Sequence, residues 1–337
     1  MAECQMTENI FVSFSQCGQP EQVLEVRHAP LLVPRAGEMR VRLLFSPINP
    51  ADINFIQGVY GQKPQFPAPQ VGLEGCGQVE VSHSADFATG DTVILLTGIG
   101  TWSRYLTAPS SSFLKLNAAI PKEQAAMLKV NPLTALRLLS DFVSLQPGDW
   151  IVQNAANSGV GRCVIQIARL MGLKTINFVR RSQSRRSELM ALGADLVVDE
   201  EEPDVIRRTL ATIGEAGRPR LAANAVGGDS ALRLMDLLAP GGTLVTYGAM
   251  SRQSLKVPNS FLIFKDIQLK GLWVTRWLEQ ASRSQVEASY SQLAAWMATG
   301  RLAQAIDCIY PLTQVRAAVA SAQQEFRSGK VLLDLAN

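Results

Sequence analysis

The segment Ile151-Val152-Gln153-Asn154-Ala155-Ala156-Asn157-Ser158-Gly159-Val160-Gly161 runs from an apolar stretch into a helix-periodic one. A turn of this kind aims backbone N–H groups and the positive end of a helix dipole at one point, where a pyrophosphate can sit. Against the pattern G-x-G-x-x-G, Ala156 and Ser158 replace the first two glycines, and Gly161 keeps its place. Small side chains still permit close approach, although an ordinary strand-to-helix turn has the same outline.

About 20 residues on, an NAD site places an Asp or Glu against the ribose 2′-hydroxyl. Here the run is Asn177-Phe178-Val179-Arg180-Arg181-Ser182-Gln183-Ser184-Arg185-Arg186, with four arginines and no carboxylate. A guanidinium fork matches a phosphate bidentately and stays charged. This strand end therefore suits a 2′-phosphate, carried by Arg180 and Ser182, and NADPH is the expected cofactor. Arg185 and Arg186 read equally well as a solvated basic helix start. Further on, Tyr247-Gly248-Ala249-Met250 ends another apolar run with small residues and should face the nicotinamide half, or be a plain strand-ending turn.

The elements that must position these residues follow from the pattern. The first part is punctuated by prolines and glycines, with short apolar runs over 23–26, 38–45, 77–82, 91–96 and 102–108, which predict a small barrel or sandwich. After the turn at Gln146-Pro147-Gly148-Asp149, strands over 150–154, 175–179, 196–198, 221–224, 243–247 and 268–274 alternate with helices such as 161–171 and 184–192. That alternation predicts an α/β fold, with six parallel strands in a doubly wound, Rossmann-type sheet. A long helix over 282–299 follows, then strands over 306–311 and 330–335 that should return to the β-rich part.

Composition removes several function classes. The chain has 337 residues, 47% of them hydrophobic and 18% charged, which excludes a disordered chain. Its 32 basic and 29 acidic residues leave a net charge of +3, too small and too dispersed for a nucleic-acid binder. No apolar run approaches the roughly 20 residues of a membrane span. Five scattered cysteines, Cys4, Cys17, Cys76, Cys163 and Cys308, and two histidines, His28 and His83, suggest a reducing compartment and no metal site. The N-terminus shows neither a signal nor a transit pattern, so a cytoplasmic protein is expected.

The runs Asn49-Pro50-Ala51-Asp52-Ile53-Asn54-Phe55-Ile56-Gln57-Gly58-Val59-Tyr60, 153–161, Phe264-Lys265-Asp266 and Gly271-Leu272-Trp273-Val274-Thr275-Arg276-Trp277 together carry a resemblance over nearly the whole chain. The sequence resembles zinc-free medium-chain dehydrogenases/reductases, and more narrowly the trans-2-enoyl-thioester reductases of the mitochondrial fatty-acid synthesis type. The resemblance implies a GroES-like catalytic domain from residues 1–126 and 277–337, a Rossmann NADPH-binding domain at 127–276, an active site in the cleft between them, and a homodimer. It places the proton-donating tyrosine at Tyr60. It places the NADPH contacts at Asn131, Asn157, Ser158, Gly159, Val160, Arg180, Arg181, Ser182, Tyr247, Gly248, Ala249, Met250, Leu272, Trp273, Val274 and Lys330. With no transit pattern visible, a bacterial-type cytoplasmic enzyme fits better than a mitochondrial one.

The implied chemistry is hydride delivery to the β carbon of an α,β-unsaturated thioester and protonation at the α carbon, with no metal. Negative charge develops on the thioester oxygen, and a phenol can donate to it. On spacing alone, Tyr60 in its Gly58-Val59-Tyr60-Gly61 loop is a packing or rim residue; the resemblance reverses that reading. Trp273 either walls the nicotinamide or acyl pocket or is a core residue of its strand. Asn131 caps the helix begun at Pro132 or touches the cofactor. Asp52 serves the turn at Pro50, and Lys330 beside Gly329 is otherwise a solvated lysine. The substrate is an enoyl-CoA or enoyl-acyl-carrier protein, with Arg104, Lys129 and Arg276 as candidate basic contacts. A quinone or alkenal reductase of the same fold is the enzymatic alternative, and a non-catalytic NADPH-binding protein the other. A zinc alcohol dehydrogenase is disfavoured, because Leu73 in Gly72-Leu73-Glu74 stands where that group has its metal histidine.

Overall fold

The computed structural model describes residues 8–325 and 327–336. The chain divides into two compact units, one running to Val130 and resuming at Ala281, the other Asn131–Gln280. The strands of the first unit are β1 (Glu8–Phe14), β2 (Leu24–Pro30), β3 (Glu38–Pro47), β4 (Cys76–Ser82), β5 (Thr92–Leu95), β6 (Tyr105–Pro109) and β7 (Phe113–Lys115). The second unit holds β8 (Trp150–Gln153), β9 (Lys174–Val179), β10 (Leu196–Asp199), β11 (Leu221–Asn224), β12 (Thr243–Thr246) and β13 (Gln268–Gly271). The chain then returns to the first unit through β14 (Ile306–Pro311) and β15 (Lys330–Asp334).

In the first unit β1 pairs antiparallel with β2, and a seven-stranded sheet runs β14-β15-β3-β4-β5-β7, with β6 on β3. β15 lies antiparallel to β3 in the register Leu333↔Ser46, so the C-terminal strands complete the sheet of the N-terminal part. The alternating inward residues of these strands, among them Phe14, Met39, Val41, Leu43, Phe113 and Leu333, form one buried cluster with Trp102 from the segment before β6. The helix Pro50–Ile56 buries Ile53, Phe55 and Ile56 in this cluster, and Tyr60 packs on its edge.

In the second unit all six strands are parallel, in the order β10-β9-β8-β11-β12-β13. This is the 3-2-1-4-5-6 order of a doubly wound sheet, whose ligand crevice opens at the carboxyl ends where the winding reverses, here between β8 and β11. The central strands β8, β11 and most of β9 and β12 are covered and buried, which fits their largely apolar sequences, whereas the edge strand β13 is exposed. One buried cluster holds Val152, Ile176, Phe178, Ala222 and Leu244 with Leu234 and Met235 of the helix Gly228–Leu237. Another holds Val179 and Val197 with Ile165 and Leu189. Among the described residues, no helix is long and apolar enough to cross a membrane.

Two expectations need correction. The strand predicted over 268–274 ends at Gly271; Leu272 N donates to Thr246 O at 3.0 Å, and Val274 already begins the helix Val274–Gln280. Trp273 is thus no strand residue buried in a core; it lies between the two elements, 40% exposed. In addition, β1 and β7 were not anticipated.

Candidate active site

β8 hands over to the helix Gly159–Leu170 through a turn in which Ala155 takes a left-handed backbone, φ 48°. Ser158 is the N-cap, and its Oγ accepts from Gly161 N at 3.1 Å. A Cβ at Gly161 would lie 2.6 Å from Ala156 O and 2.7 Å from Ala155 O, which explains why the third glycine of the pattern is kept. Ala156 is fully buried beneath the turn. The first N–H groups of a helix find no acceptor inside it, so Gly159 and Val160 present donors to an anion, while Ser158 N already donates to Ala155 O at 2.8 Å.

Tyr247, just past β12, donates its backbone N–H to Asn224 O at 3.0 Å. Burial pushes its phenol well above the usual tyrosine range, with Ser158 opposing the shift. That hydroxyl is inaccessible and makes no well-formed hydrogen bond within the described protein. An orphaned buried hydroxyl beside the N-cap, together with a turn shaped by the missing Cβ of Gly161, fits a dinucleotide phosphate at this point. Gly248, Ala249 and Met250 follow, with Ala249 and Met250 exposed.

The four arginines after β9 separate into two pairs. Arg185 is buried and reaches Glu188 at 3.5 Å, and Arg162 meets the same carboxylate at 2.6 Å. Burial works to raise the Glu188 pKa, but Arg162 and then Arg185 hold it below the usual range. Arg186 Nη2 donates to Val197 O at 2.9 Å. Arg185 is therefore structural rather than part of a solvated helix start, whereas Arg186 remains exposed. Arg180 and Arg181 are exposed at the strand end, Arg181 with a left-handed backbone, φ 54°. The Ser182 side chain lies outside what the structure describes.

Sequence reasoning missed a buried polar network at the carboxyl ends of β8 and β11. Asn154 Nδ2 donates to Asn224 Oδ1 at 2.8 Å and to Ser230 Oγ at 2.9 Å, and Asn154 Oδ1 accepts from Ala225 N at 2.7 Å. Ser230 Oγ donates to Glu200 Oε2 at 2.5 Å, and Asn224 Nδ2 to Thr246 Oγ1 at 3.1 Å. These bonds tie the loops after β8, β10, β11 and β12 at the switch point. The signal available was an asparagine closing each of two apolar runs.

In the first unit, Gly58 turns the chain with φ 73° after the helix Pro50–Ile56, and Tyr60 N donates to Asn54 O at 3.1 Å. The helix itself is anchored to a buried ionic cluster. Asp52 Oδ2 accepts from Asn49 N at 2.8 Å and Oδ1 from Leu73 N at 3.0 Å, so its part exceeds a local turn. Glu74 Oε1 accepts from Asn49 Nδ2 at 2.7 Å and Oε2 from Val130 N at 2.8 Å. Lys330 Nζ donates to Asn49 Oδ1, and Lys129 Nζ to Leu73 O at 2.6 Å. All five side chains are buried. Burial pushes the Asp52 carboxyl up to about 7 against its two backbone donors, and raises Glu74 against Lys330. Burial also lowers Lys129 to about 8, against the pull of Glu74 and Asp52. Lys330 is accordingly no solvated lysine, and Lys129 is too enclosed to meet a substrate carrier. Asn131 is buried at the first position of the helix Asn131–Ser140.

Two family models match the chain: the alcohol dehydrogenase GroES-like domain over residues 35–118 and the zinc-binding dehydrogenase over 159–296. The human protein named enoyl-acyl-carrier-protein reductase, mitochondrial, is 40% identical over 326 residues, covering 94% of this chain and 86% of its own. Its Xenopus tropicalis counterpart is 41% identical over 335 residues, covering 95% and 93%. This chain belongs to the medium-chain dehydrogenases/reductases, in their enoyl-thioester reductase branch. Among solved structures of this branch, the Etr1p complex with NADP and crotonyl-CoA superposes with a TM-score of 0.89 at 29% identity, over 98% of this chain and all of that one. A quinone oxidoreductase of Pseudomonas syringae, elsewhere in the family, gives 0.85 at 28%, over 97% and 99%. The expected cytoplasmic location does not stand, because the curated enoyl reductases that match are named as mitochondrial proteins. A homodimer is not the family's only assembly either, since a Candida tropicalis relative is an Etr1p/Etr2p heterodimer. Where a zinc-dependent member has a histidine, Leu73 offers an alkyl chain that cannot ligate.

Proposed function

We infer that this enzyme reduces trans-2-enoyl thioesters to saturated acyl thioesters with NADPH. The observation that carries the reading is identity of about 40% with enoyl reductases along almost the whole chain. The turn at Ser158 and the two exposed arginines after β9 support it independently. In this reading Asn157, Ser158, Gly159 and Val160 hold the pyrophosphate, and Arg180, Arg181 and Ser182 hold the 2′-phosphate. Asn131, Tyr247 to Met250, Leu272, Trp273, Val274 and Lys330 complete the cofactor site. When bound, NADPH supplies a hydride to the β carbon. Tyr60 donates from its hydroxyl as charge develops on the thioester oxygen, and it delivers the proton to the α carbon.

The thioester is carried by CoA or by an acyl carrier protein. A homodimer is supported by the edge strand β13, exposed along its length, and by Ile263 and Phe264, which are 69% and 83% exposed beside it. Light scattering on the purified chain measures that assembly. The likeness to a quinone oxidoreductase favours quinone reduction as the second reading. One assay separates the two: NADPH and NADH oxidation with crotonyl, hexenoyl and decenoyl thioesters and with a quinone, for wild type and Tyr60→Phe. Turnover of the quinone alone overturns the enoyl reading.

A further inference from the structure

Glu74 is fully buried, and its two carboxylate oxygens hold two segments that matter. Oε1 takes Asn49 Nδ2, at the head of the helix that leads to Tyr60; Oε2 takes the N–H of Val130, the residue before Asn131. Its backbone carbonyl accepts from Ser46 Oγ at 2.6 Å and Thr101 Oγ1 at 2.8 Å, so the residue is itself braced. Lys330 Nζ occupies Asn49 Oδ1, which fixes the asparagine with its NH2 group towards Glu74. Val130 is held further by its neighbour: Lys129 O accepts from Tyr290 Oη at 3.2 Å.

We propose that Glu74 is a positioning residue for the reduction, one carboxylate setting both the helix that leads to Tyr60 and the backbone that leads to Asn131. The assignment rests on the enoyl-reductase reading. Both partners of Glu74 are N–H donors, and only a carboxylate accepts from both. In Glu74→Gln the amide satisfies one donor and turns its own NH2 group on the other. Adding Asn49→Asp restores every contact. The new NH2 group donates to the new carboxylate, whose other oxygen keeps Lys330. The amide oxygen keeps Val130, and the net charge is that of the wild type.

The experiment measures kcat and KM with a crotonyl thioester and the NADPH dissociation constant, with melting temperature as the control for folding. Glu74→Gln is expected to lower kcat by roughly 10-fold or more with KM nearly unchanged, as misplacement of a reacting group does. The double variant Glu74→Gln/Asn49→Asp is expected to recover to within about 3-fold of wild type, a rescue that follows from complementary donors and acceptors. A folded Glu74→Gln with wild-type kcat overturns the proposal. So does a double variant that fails to fold or turns over no faster than the single one. Should Glu74→Gln not fold, the double variant alone decides by the same criterion. Failure of the enoyl reading is distinguishable, because it appears in the wild type, as absence of thioester reduction.

Discussion

Gly161→Ala tests whether the nucleotide turn depends on the approach of two backbones. Ordinary contact for a Cβ begins at 3.4 Å, whereas here it would meet Ala156 O at 2.6 Å and Ala155 O and Ala156 Cα at 2.7 Å. The deficits are 3.4 − 2.6 and 3.4 − 2.7, or about 0.8 and 0.7 Å, against three backbone atoms that no side-chain rotation can move. The helix start must retreat, taking Gly161 N away from the Ser158 cap. Overpacking costs about 1–3 kcal/mol and loss of a cap about 1, while alanine in a helix returns about 1 kcal/mol over glycine. The net is roughly 1–3 kcal/mol. At about 2–4 °C per kcal/mol for a unit of this size, the melting temperature should fall by roughly 2–12 °C. NADPH should bind at least about 10-fold more weakly, because the N–H groups facing the phosphate move with the helix. Differential scanning fluorimetry and a fluorescence titration with NADPH measure both. A melting temperature that rises, with NADPH affinity retained, is what helix propensity alone would give, and it would refute the reasoning.

Three further outcomes are expected. Arg180→Ala and Arg181→Ala should each weaken NADPH by about 10- to 100-fold, the worth of a charge-assisted hydrogen bond, and leave NADH unchanged; equal losses for both coenzymes in titrations would remove the 2′-phosphate reading. Tyr60→Phe should lower kcat with crotonyl thioester by about 10²- to 10⁴-fold with little change in NADPH affinity, and undiminished turnover would take Tyr60 out of the chemistry. Because burial places the folded-state pKa of Asp52 at about 7, above its ordinary 3.8, its contribution to stability is fully present below pH 3.8 and is lost as pH rises towards 7. The full shift amounts to about 4 kcal/mol. Relative to Asp52→Asn, the wild type should therefore be more stable at pH 5 than at pH 7.5 in urea unfolding, and the opposite slope would contradict the assignment.

Much of the second unit was readable because its central strands are buried on both faces. Leu221–Asn224 is continuous and apolar between turn residues, and its predicted bounds are those observed. Where local chemistry was ambiguous, the reading slipped. Leu272-Trp273-Val274 has strand-forming side chains, but the chain leaves the sheet at Gly271 and enters a helix. Glu8–Phe14 was overlooked because Glu8, Asn9 and Ser13 dilute its apolar residues; its pairing with Leu24–Pro30 makes it a strand. The helix expected from Gly161 starts two residues earlier, at Gly159, where Ser158 was the better signal than the glycines.

The ionic cluster was illegible for a different reason. Its contacts join residues 56 apart (Glu74 with Val130) and 281 apart (Asn49 with Lys330), while every member has an innocent local reading. Asn49 and Asp52 belong to a proline turn, and Lys330 follows a glycine. Only the fold shows that two acidic and two basic side chains are buried together, in equal numbers, with amide N–H groups donating to both oxygens of each carboxyl group. That balance is the condition for burying ions at all, since one uncompensated member costs far more than the set gains. It also bears on the family's division between metal-dependent and metal-independent members. Beside Leu73, both Asp52 oxygens take backbone N–H groups and both Glu74 oxygens take amide N–H groups, while Lys129 and Lys330 supply the positive charge. The acceptors that could have turned to a cation are committed to holding the helix that leads to Tyr60 and the backbone at Val130.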